Sequence, residues 1–442
     1  MEKKYFDREI ETMSRKKLEA LQLERLRWQI TRCYRNSDFY REKFDKASLT
    51  PSDIKSLQDM AKIPFVTKEE LRDEQRQYPP FGRYLVAPTD RVRELHPSSG
   101  TTGTPVNNLW GEKDVESITH WTARTLWSIG TRPGFIIQNG LSYGLWVAGL
   151  AVHYAARALG CFVIPIGASL TERQIEYLLN PGSDMILSTP SFAIHISEKI
   201  RERGINPSDL KVKLGLFGGE PGAGATGTRK KIEEGLGIKA HDYYGLAEIG
   251  PTFAAECDRQ AGIHWAEDYV LVEVVDPETK QSCEPGRPGV LVFTHLTKEV
   301  APMIRYWSND VASLDKEPCS CGRTHARSPA GVIGRADDLI IFKGAKFYPL
   351  QVEKVVRSLG EISDEFRIEL TLDGQTEMDV VTVVVELNEN VKESGSLKAT
   401  LKNQLREEIL VTPAIRFEPY GKLERTMFKA KRVVDLRPRK ST

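Results

Sequence analysis

The stretch GFIIQNGLSYGLWVAGLAVHYAARALGCFVIPI, residues 134–166, decides the fold class. A short apolar run, Phe135–Gln138, gives way to a helix-patterned segment over 145–159, and a second apolar run, Phe162–Ile166, follows. The pattern repeats downstream as Met185–Leu187, a helical segment over 191–203, and Leu214–Phe217. Strand and helix alternating at this interval predict βαβ units and a parallel, twisted sheet. Ligand sites in such sheets lie beyond the carboxyl ends of the strands. The run leading into Gly218-Gly219-Glu220-Pro221 ends in that manner, and so does the stretch leading into Tyr243-Tyr244-Gly245.

Working outward, residues 7–46 are charged and periodic, with Leu18, Leu21, Leu26, Trp28 and Ile30 at helix-like spacings, and predict helices packed on the main body. A break falls at Ser328-Pro329-Ala330-Gly331. Beyond it, 366–372 and 378–387 read as strands around an Asp373-Gly374 turn, and 396–410 reads as a helix. The expected class is therefore α/β: a large N-terminal domain over 1–336 with parallel-rich twisted sheets and helices, and a small C-terminal α+β domain over 337–442. No repeat of 20–50 residues interrupts this reading.

With 442 residues, 40% hydrophobic and 28% charged, the chain has ordinary globular composition. Its 62 basic and 61 acidic residues leave a net charge of +1, which supplies no bulk attraction to nucleic acid or to an anionic membrane. The basic run Arg437-Pro438-Arg439-Lys440 reads as a solvated tail. The N-terminus lacks an apolar leader, and no run approaches the ~18 apolar residues that span a bilayer, so a cytoplasmic protein is expected. Six cysteines do not make a disulfide scaffold. Cys33, Cys161 and Cys283 read as isolated thiols, with Cys161 in the core.

The chemistry starts at Pro97-Ser98-Ser99-Gly100-Thr101-Thr102-Gly103-Thr104-Pro105. Such a loop sets backbone N–H groups and hydroxyls on one concave surface, and its glycines let the chain approach an anion closely. It is built for phosphate, yet no Gly-Lys-Ser/Thr closes it as in the common NTPases. Four further segments follow in fixed order: Tyr243-Tyr244-Gly245-Leu246-Ala247-Glu248; Ile304-Arg305-Tyr306 ending at Asp310; Gly334-Arg335-Ala336-Asp337-Asp338 with Gly344; and Arg425 to Val433 around Lys429.

This order resembles the adenylate-forming superfamily of acyl-CoA synthetases, peptide-synthetase adenylation domains and luciferases. It is closest to the phenylacetate-CoA ligase and aryl-CoA ligase branch, through Tyr143-Gly144-Leu145, His153-Tyr154, Gly262-Ile263-His264, Glu267-Asp268 and Cys319 to His325. The resemblance runs from about residue 5 to 437. It implies ATP-dependent activation of an aromatic carboxylic acid to an acyl-adenylate. Thioester formation with CoA follows, with release of AMP and pyrophosphate. It also implies an active site between a large domain and a small mobile one. Catalysis is then positioning and charge compensation.

Carried over by position, Ser98, Ser99, Gly100, Thr101, Thr102 and Gly103 would hold the β- and γ-phosphates, and Glu248 would ligate Mg²⁺. Tyr244 or Gly245 would lie against the adenine, next to Tyr243, with Gly218, Gly219, Glu220 and Pro221 as a wall. Asp310 would accept from the ribose hydroxyls, and Arg335 would contact the ribose or α-phosphate. Lys429 would reach between acyl carboxylate and α-phosphate, neutralising both reacting anions. Asp337 would be the hinge, and the loop at Gly344 would admit the CoA arm. The acid pocket would use Tyr143, Trp146, Ala148, Phe192 and Gly218, since aromatic and small residues suit a flat ring.

Cys257, His264, Cys319 and Cys321 form a ligand set suited to a closed, structural Zn²⁺ site, with His325 open as an alternative fourth ligand. The chain departs from the family at Thr104, where relatives often carry lysine, at Ala247, and at Trp307-Ser308-Asn309. Expected partners are an aryl acid, ATP and CoA, with no nucleic acid and no membrane; a homodimer is left open. So are the acid itself and an acceptor other than CoA, namely a carrier-protein thiol or an amine. A non-catalytic nucleotide-binding relative is the remaining alternative, against which the retention of Glu248 and Lys429 argues.

Overall fold

The apolar runs of the sequence become the strands Ile136–Asn139, Phe162–Ile164, Met185–Ser188 and Leu214–Phe217, joined by Lys239–Leu246 in one parallel array. The structure, a computed structural model, describes residues 3–98, 104–145, 147–168, 170–220, 222–342, 345–372, 379–424 and 432–437. Intervening helices cover both faces of the array, which is why Met185–Ser188 is buried at every position. Successive side chains alternate between two apolar layers. Met185, Leu187 and Leu216 join one, with Ile137 and Ala148. Ile186 and Phe217 join the other, with Ile238 and Ala240. The helices Val147–Ala158 and Pro190–Glu202 lie where the sequence pattern put them.

The sheet has eight strands, and the expectation of a parallel sheet holds for only five. The residues 247–249 alone link Lys239–Leu246 to Gly250–Ala255. Parallel neighbours need a crossover of a dozen residues or so. The next strand therefore pairs antiparallel, and Ile263–Trp265 and Arg327–Ser328 continue in that sense. Closure at this corner depends on Gly245, where a Cβ would stand 2.7 Å from the Thr252 nitrogen and 2.9 Å from Pro251 Cα.

A second, antiparallel sheet is ordered Val270–Val275, Gly289–His295, Tyr306–Ala312, Gly334–Arg335, with Asp310 opposite Arg335. Between the sheets, Phe253, Trp265 and Phe293 form an aromatic centre with centroids 5.1–5.7 Å apart. The N-terminal helices Arg15–Asn36 and Asp38–Lys46 cover this region with Leu18, Leu26, Ile30 and Cys33 buried. Trp28, grouped with them by spacing, is 44% exposed and lies against Arg32. It stands two residues from both Leu26 and Ile30, which turns it to the far side of the helix. Cys161 is in the core, as read.

Residues from 340 onward build their own core. The hairpin Ile340–Phe342 and Ala345–Phe347 leads into helix Pro349–Ser358. A four-stranded sheet, ordered Ala414–Glu418, Asp379–Leu387, Ile362–Leu372, Val433–Asp435, packs with helix Gly395–Ile409. Its apolar cluster, among the described residues, draws on 340–433 alone. The strands and helix expected at 366–372, 378–387 and 396–410 are present, whereas the Asp373-Gly374 turn lies outside the described residues. No helix among the described residues is long and apolar enough to cross a membrane.

Arg124, on helix Glu112–Ser128, holds Asp268 at 2.7 Å, with 8% and 3% of the two side chains exposed. Burial pushes the Asp268 carboxyl up, but the charges of Arg124, His325 and Arg25 and the Arg124 hydrogen bond together outweigh it and leave the group below the usual aspartate range. This stabilisation is present above about pH 4, and is lost as pH falls through the lower folded-state value. Arg124→Met leaves a buried carboxylate unpaired and is expected to cost about 3–5 kcal/mol in a urea titration at neutral pH.

Candidate active site at the carboxyl ends of the parallel strands

The neck of the Ser/Thr/Gly loop is closed by Ser98. Its N–H donates to the Val106 carbonyl at 2.8 Å, and its hydroxyl accepts from the Val106 N–H at 2.9 Å. Ser99, Gly100, Thr101, Thr102 and Gly103 lie outside the described residues. Helix Lys68–Gln77 backs the far side of the loop: Arg72 Nε donates to the Thr104 carbonyl at 2.9 Å, and Gln75 Nε2 to that of Pro105 at 3.1 Å. Thr67 and Glu70 form a capping box that starts this helix and puts residues 68 and 72 on one face.

Glu248 stands on the short link after the fifth parallel strand and is 3% exposed. Lys68 Nζ lies 3.0 Å from its Oε1. Lys298 is 5% exposed and has no hydrogen-bond partner for Nζ among the described residues. Burial pushes the Lys298 ammonium down to about 8, opposed by the charges of Asp114 and Glu248. Two lysines thus face the carboxylate that the sequence singled out, and neither was singled out with it. The capping box was a usable signal for Lys68 and Arg72. Lys298 carries no local signal, because only the tertiary fold brings it there.

Asp310 accepts from the Tyr244 hydroxyl at 2.6 Å and from Arg335 Nη1 at 3.2 Å. Arg335 also clamps Asp337 through Nε at 2.9 Å and Nη2 at 2.8 Å. One guanidinium therefore joins Asp310 to Asp337. Burial, then the Asp310 charge, holds the Tyr244 hydroxyl well above its ordinary value, so it remains a donor. Its ring packs on the aromatic centre, 5.5 Å from Phe253 and 5.6 Å from Trp265.

Gly218 is pressed against Tyr243, whose carbonyl would be 2.5 Å from an added Cβ. The Tyr243 ring belongs to the apolar layer of Leu141, Ala148 and Leu187. Gly219 has φ +87°, and Glu220 Oε1 accepts from the Ser191 N–H at 2.7 Å. Tyr143 accepts from Asn139 Nδ2 at 2.8 Å and sits 3.2 Å from His153 Nδ1. Phe192, partly buried, packs against the layer of Ile186 and Phe217, whereas Ala148 belongs to the other layer. Trp146, Pro221, Gly344 and Lys429 lie outside the described residues. His96, unremarked in the sequence, bonds Glu94 Oε2 at 2.9 Å and lies 3.3 Å from the Leu145 carbonyl, tying the loop's stem to the 141–145 segment.

Away from this cleft, ligand atoms of Cys257, His264, Cys319 and Cys321 all lie within 4.8 Å of one another, and all four residues are buried. Cys257 and Cys319 sulfurs are 4.0 Å apart, and Cys321 Sγ is 3.8 Å from His264 Nε2. A tetrahedron with ~2.3 Å bonds to sulfur has edges near 3.8 Å, so the set fits zinc. The Arg259 and Arg323 N–H groups donate to Cys257 and Cys321. Hydrogen bonding from Cys257 lowers the Cys321 thiol, and hydrogen bonding to His264 lowers that of Cys319. His325, the alternative fourth ligand, instead faces the Trp265 and Ile10 carbonyls at 3.0 and 3.2 Å. The N-terminal segment straps the cluster, with Tyr5 donating to the Cys321 carbonyl and Glu11 pairing with Arg323 at 2.6 Å.

Residues 344–437 match the AMP-binding enzyme C-terminal domain family. The phenylacetate-coenzyme A ligase of Thermus thermophilus is 37% identical over 447 residues, covering 97% of this chain and 99% of the relative. That of Escherichia coli is 35% identical, with 97% of each chain covered. The chain belongs to the phenylacetate-CoA ligase family. It is an AMP-forming acid–CoA ligase. Among solved structures, a 2-hydroxyisobutyryl-CoA ligase in its post-adenylation state superposes with TM-score 0.91 at 29% identity, covering 98% of this chain and 93% of that one. The same ligase gives 0.78 in an open conformation and 0.74 in its thioesterification state.

For this phenylacetate-CoA ligase family member, the short Tyr244–Asp310 bond gives a direct check on the site's geometry. Tyr244→Phe removes a charge-assisted hydrogen bond and is expected to lower stability by about 1.5–3 kcal/mol, measured by thermal or urea unfolding, while raising KM for ATP.

Proposed function

We propose that the protein activates an aromatic carboxylic acid of the phenylacetate or benzoate type to its acyl-adenylate and passes the acyl group to CoA. The observation that carries this reading is the buried Glu248, paired with Lys68 and within the electrostatic reach of Lys298, in a chain alike over 97% of its length to a phenylacetate-CoA ligase.

Two anions must meet, and charge grows on pyrophosphate as it leaves. In this reading Ser98–Gly103 cradle the β- and γ-phosphates, and Glu248 would hold Mg²⁺, whose charge would offset that of the phosphates. Thr104 supplies no cation where relatives carry lysine. Lys68 and Arg72, one turn apart on the helix behind the loop, take over that compensation. Asp310 receives the ribose hydroxyls, held in place by Tyr244 and Arg335. With the Tyr244 hydroxyl committed to Asp310, Gly245 is the better candidate to lie flat against the adenine, between it and the Gly218–Pro221 wall. Tyr143, Trp146, Ala148, Phe192 and Gly218 form the acid pocket.

Lys429 sits between acyl carboxylate and α-phosphate in the first step. The C-terminal domain, 337–442, then turns about Asp337 against the domain 1–336, withdrawing Lys429 and bringing the Gly344 loop to the CoA arm. Arg335 marks the joint, since it grips the hinge aspartate and Asp310 together. The Cys257, His264, Cys319, Cys321 set holds a structural Zn²⁺ that pins the loop after Glu248 to the segment before the hinge.

ATP–pyrophosphate exchange across phenylacetate, benzoates and 2-hydroxyisobutyrate, repeated with CoA and mass spectrometry, tests the substrate class. Exchange with the aliphatic acid alone would overturn the aryl reading. Lys429→Ala is expected to cut adenylate formation by about 100-fold or more and to spare thioester formation from supplied acyl-adenylate; equal loss in both steps argues against domain alternation. Protein purified without added zinc is expected to carry about one equivalent by elemental analysis, and less than about a tenth counts against the metal.

A further inference from the structure

The two units of the chain meet most closely where helix Thr226–Leu236, which follows the Gly218–Pro221 wall, crosses helix Pro349–Ser358. At Gly227 the backbones touch: a Cβ there would lie 2.9 Å from the Arg357 carbonyl oxygen and 3.1 Å from the Ser358 nitrogen. Arg357 is 5% exposed at this junction. Its Nη1 donates to Thr228 Oγ1 at 3.1 Å, its Nη2 pairs with Glu353 at 2.7 Å, and its Nε lies 3.7 Å from Asp364. Lys231 closes the cluster on Asp364 at 2.8 Å. Gly222, at the end of the nucleotide wall, would put a Cβ 3.1 Å from Arg357 Nη1. The Glu220 carboxylate is near enough to act on both Arg357 and Glu353.

A buried guanidinium from the C-terminal unit therefore rests on the outer side of the loop assigned above to the adenine. Nothing in the chemistry of either half-reaction consumes it: Glu353 pairs its charge within the C-terminal unit, and Thr228 gives it a partner across the junction. The arrangement matches the post-adenylation state of the structural neighbour far better than its thioesterification state.

We propose that Arg357 is a positioning residue: by docking on Thr228 beside Gly222, it holds the C-terminal unit in the orientation that forms the adenylate, and the same contact must break before the thioester step. The inference rests on the two-step reading above. It gives the cluster a job specific to one step, because interdomain surfaces that slide or rotate are held by polar, breakable contacts. The flat backbone contact at Gly227 sets how near the helices can come.

Two variants separate this role from simple stabilisation. Arg357→Gln removes the charge, and Gly227→Val keeps every charge but blocks the approach. Both are expected to lower ATP–pyrophosphate exchange about tenfold or more while thioester formation from supplied acyl-adenylate stays within about twofold of the parent. Small-angle scattering of both is expected to depart from the profile of the docked arrangement. Parallel loss in the two steps, or an unchanged Gly227→Val in both steps and in scattering, overturns the proposal. Should Arg357→Gln fail to fold, Gly227→Val decides alone. A parent protein with no exchange for any acid would instead count against the adenylation reading, and the scattering of Gly227→Val would still report on the dock.

Discussion

A three-residue link controls the architecture of this enzyme. Strands Lys239–Leu246 and Gly250–Ala255 are joined by residues 247–249, too few for the crossover that parallel pairing demands. Strand direction must reverse there, and Gly245 lets the reversal close. The reversal lies at the carboxyl end of the parallel array, where such sheets bind ligands. Glu248 rides on the link, so the constraint that flips the sheet also sets a carboxylate at the mouth of the cleft.

Charge around that carboxylate is gathered from distant parts of the chain. Lys68 arrives on a helix that also braces the phosphate loop through Arg72, and Lys298 follows a strand of the second sheet. A site that must take up triphosphate needs cations poised in low dielectric, where each counts for more than in water. Thr104 carries no charge, and Arg72, one turn from Lys68, donates to its carbonyl. The Asp310–Arg335–Asp337 chain adds a mechanical role to an electrostatic one, since a single guanidinium joins a residue assigned to ribose to the residue assigned to the hinge.

The cysteine-histidine cluster and the Arg357 junction lie on opposite sides of this cleft in function. The first ties Cys257 and His264, shortly after Glu248, to Cys319 and Cys321, shortly before the hinge, under an N-terminal strap. The second is polar, buried and small, the character of a contact made to be broken.

Much of this was legible in the chain alone. The alternation of short apolar runs with helical segments announces the parallel strands, because covered strands must be apolar on both faces. The Ser/Thr/Gly loop and the Cys/His set stand out by residue type and spacing, whereas Glu248 and Asp310 are picked out only by the order of motifs that resembles the family. Three-dimensional packing decided the rest. Strand direction beyond residue 246 depends on link length and a close backbone approach, not on side-chain pattern. Phe192 and Trp28 could not be assigned a side by spacing alone. Lys68, Lys298 and Arg357 are ordinary surface-type residues in sequence. Their importance comes from burial and from neighbours more than a hundred residues away, and a Coulomb field depends on distance in space rather than along the chain.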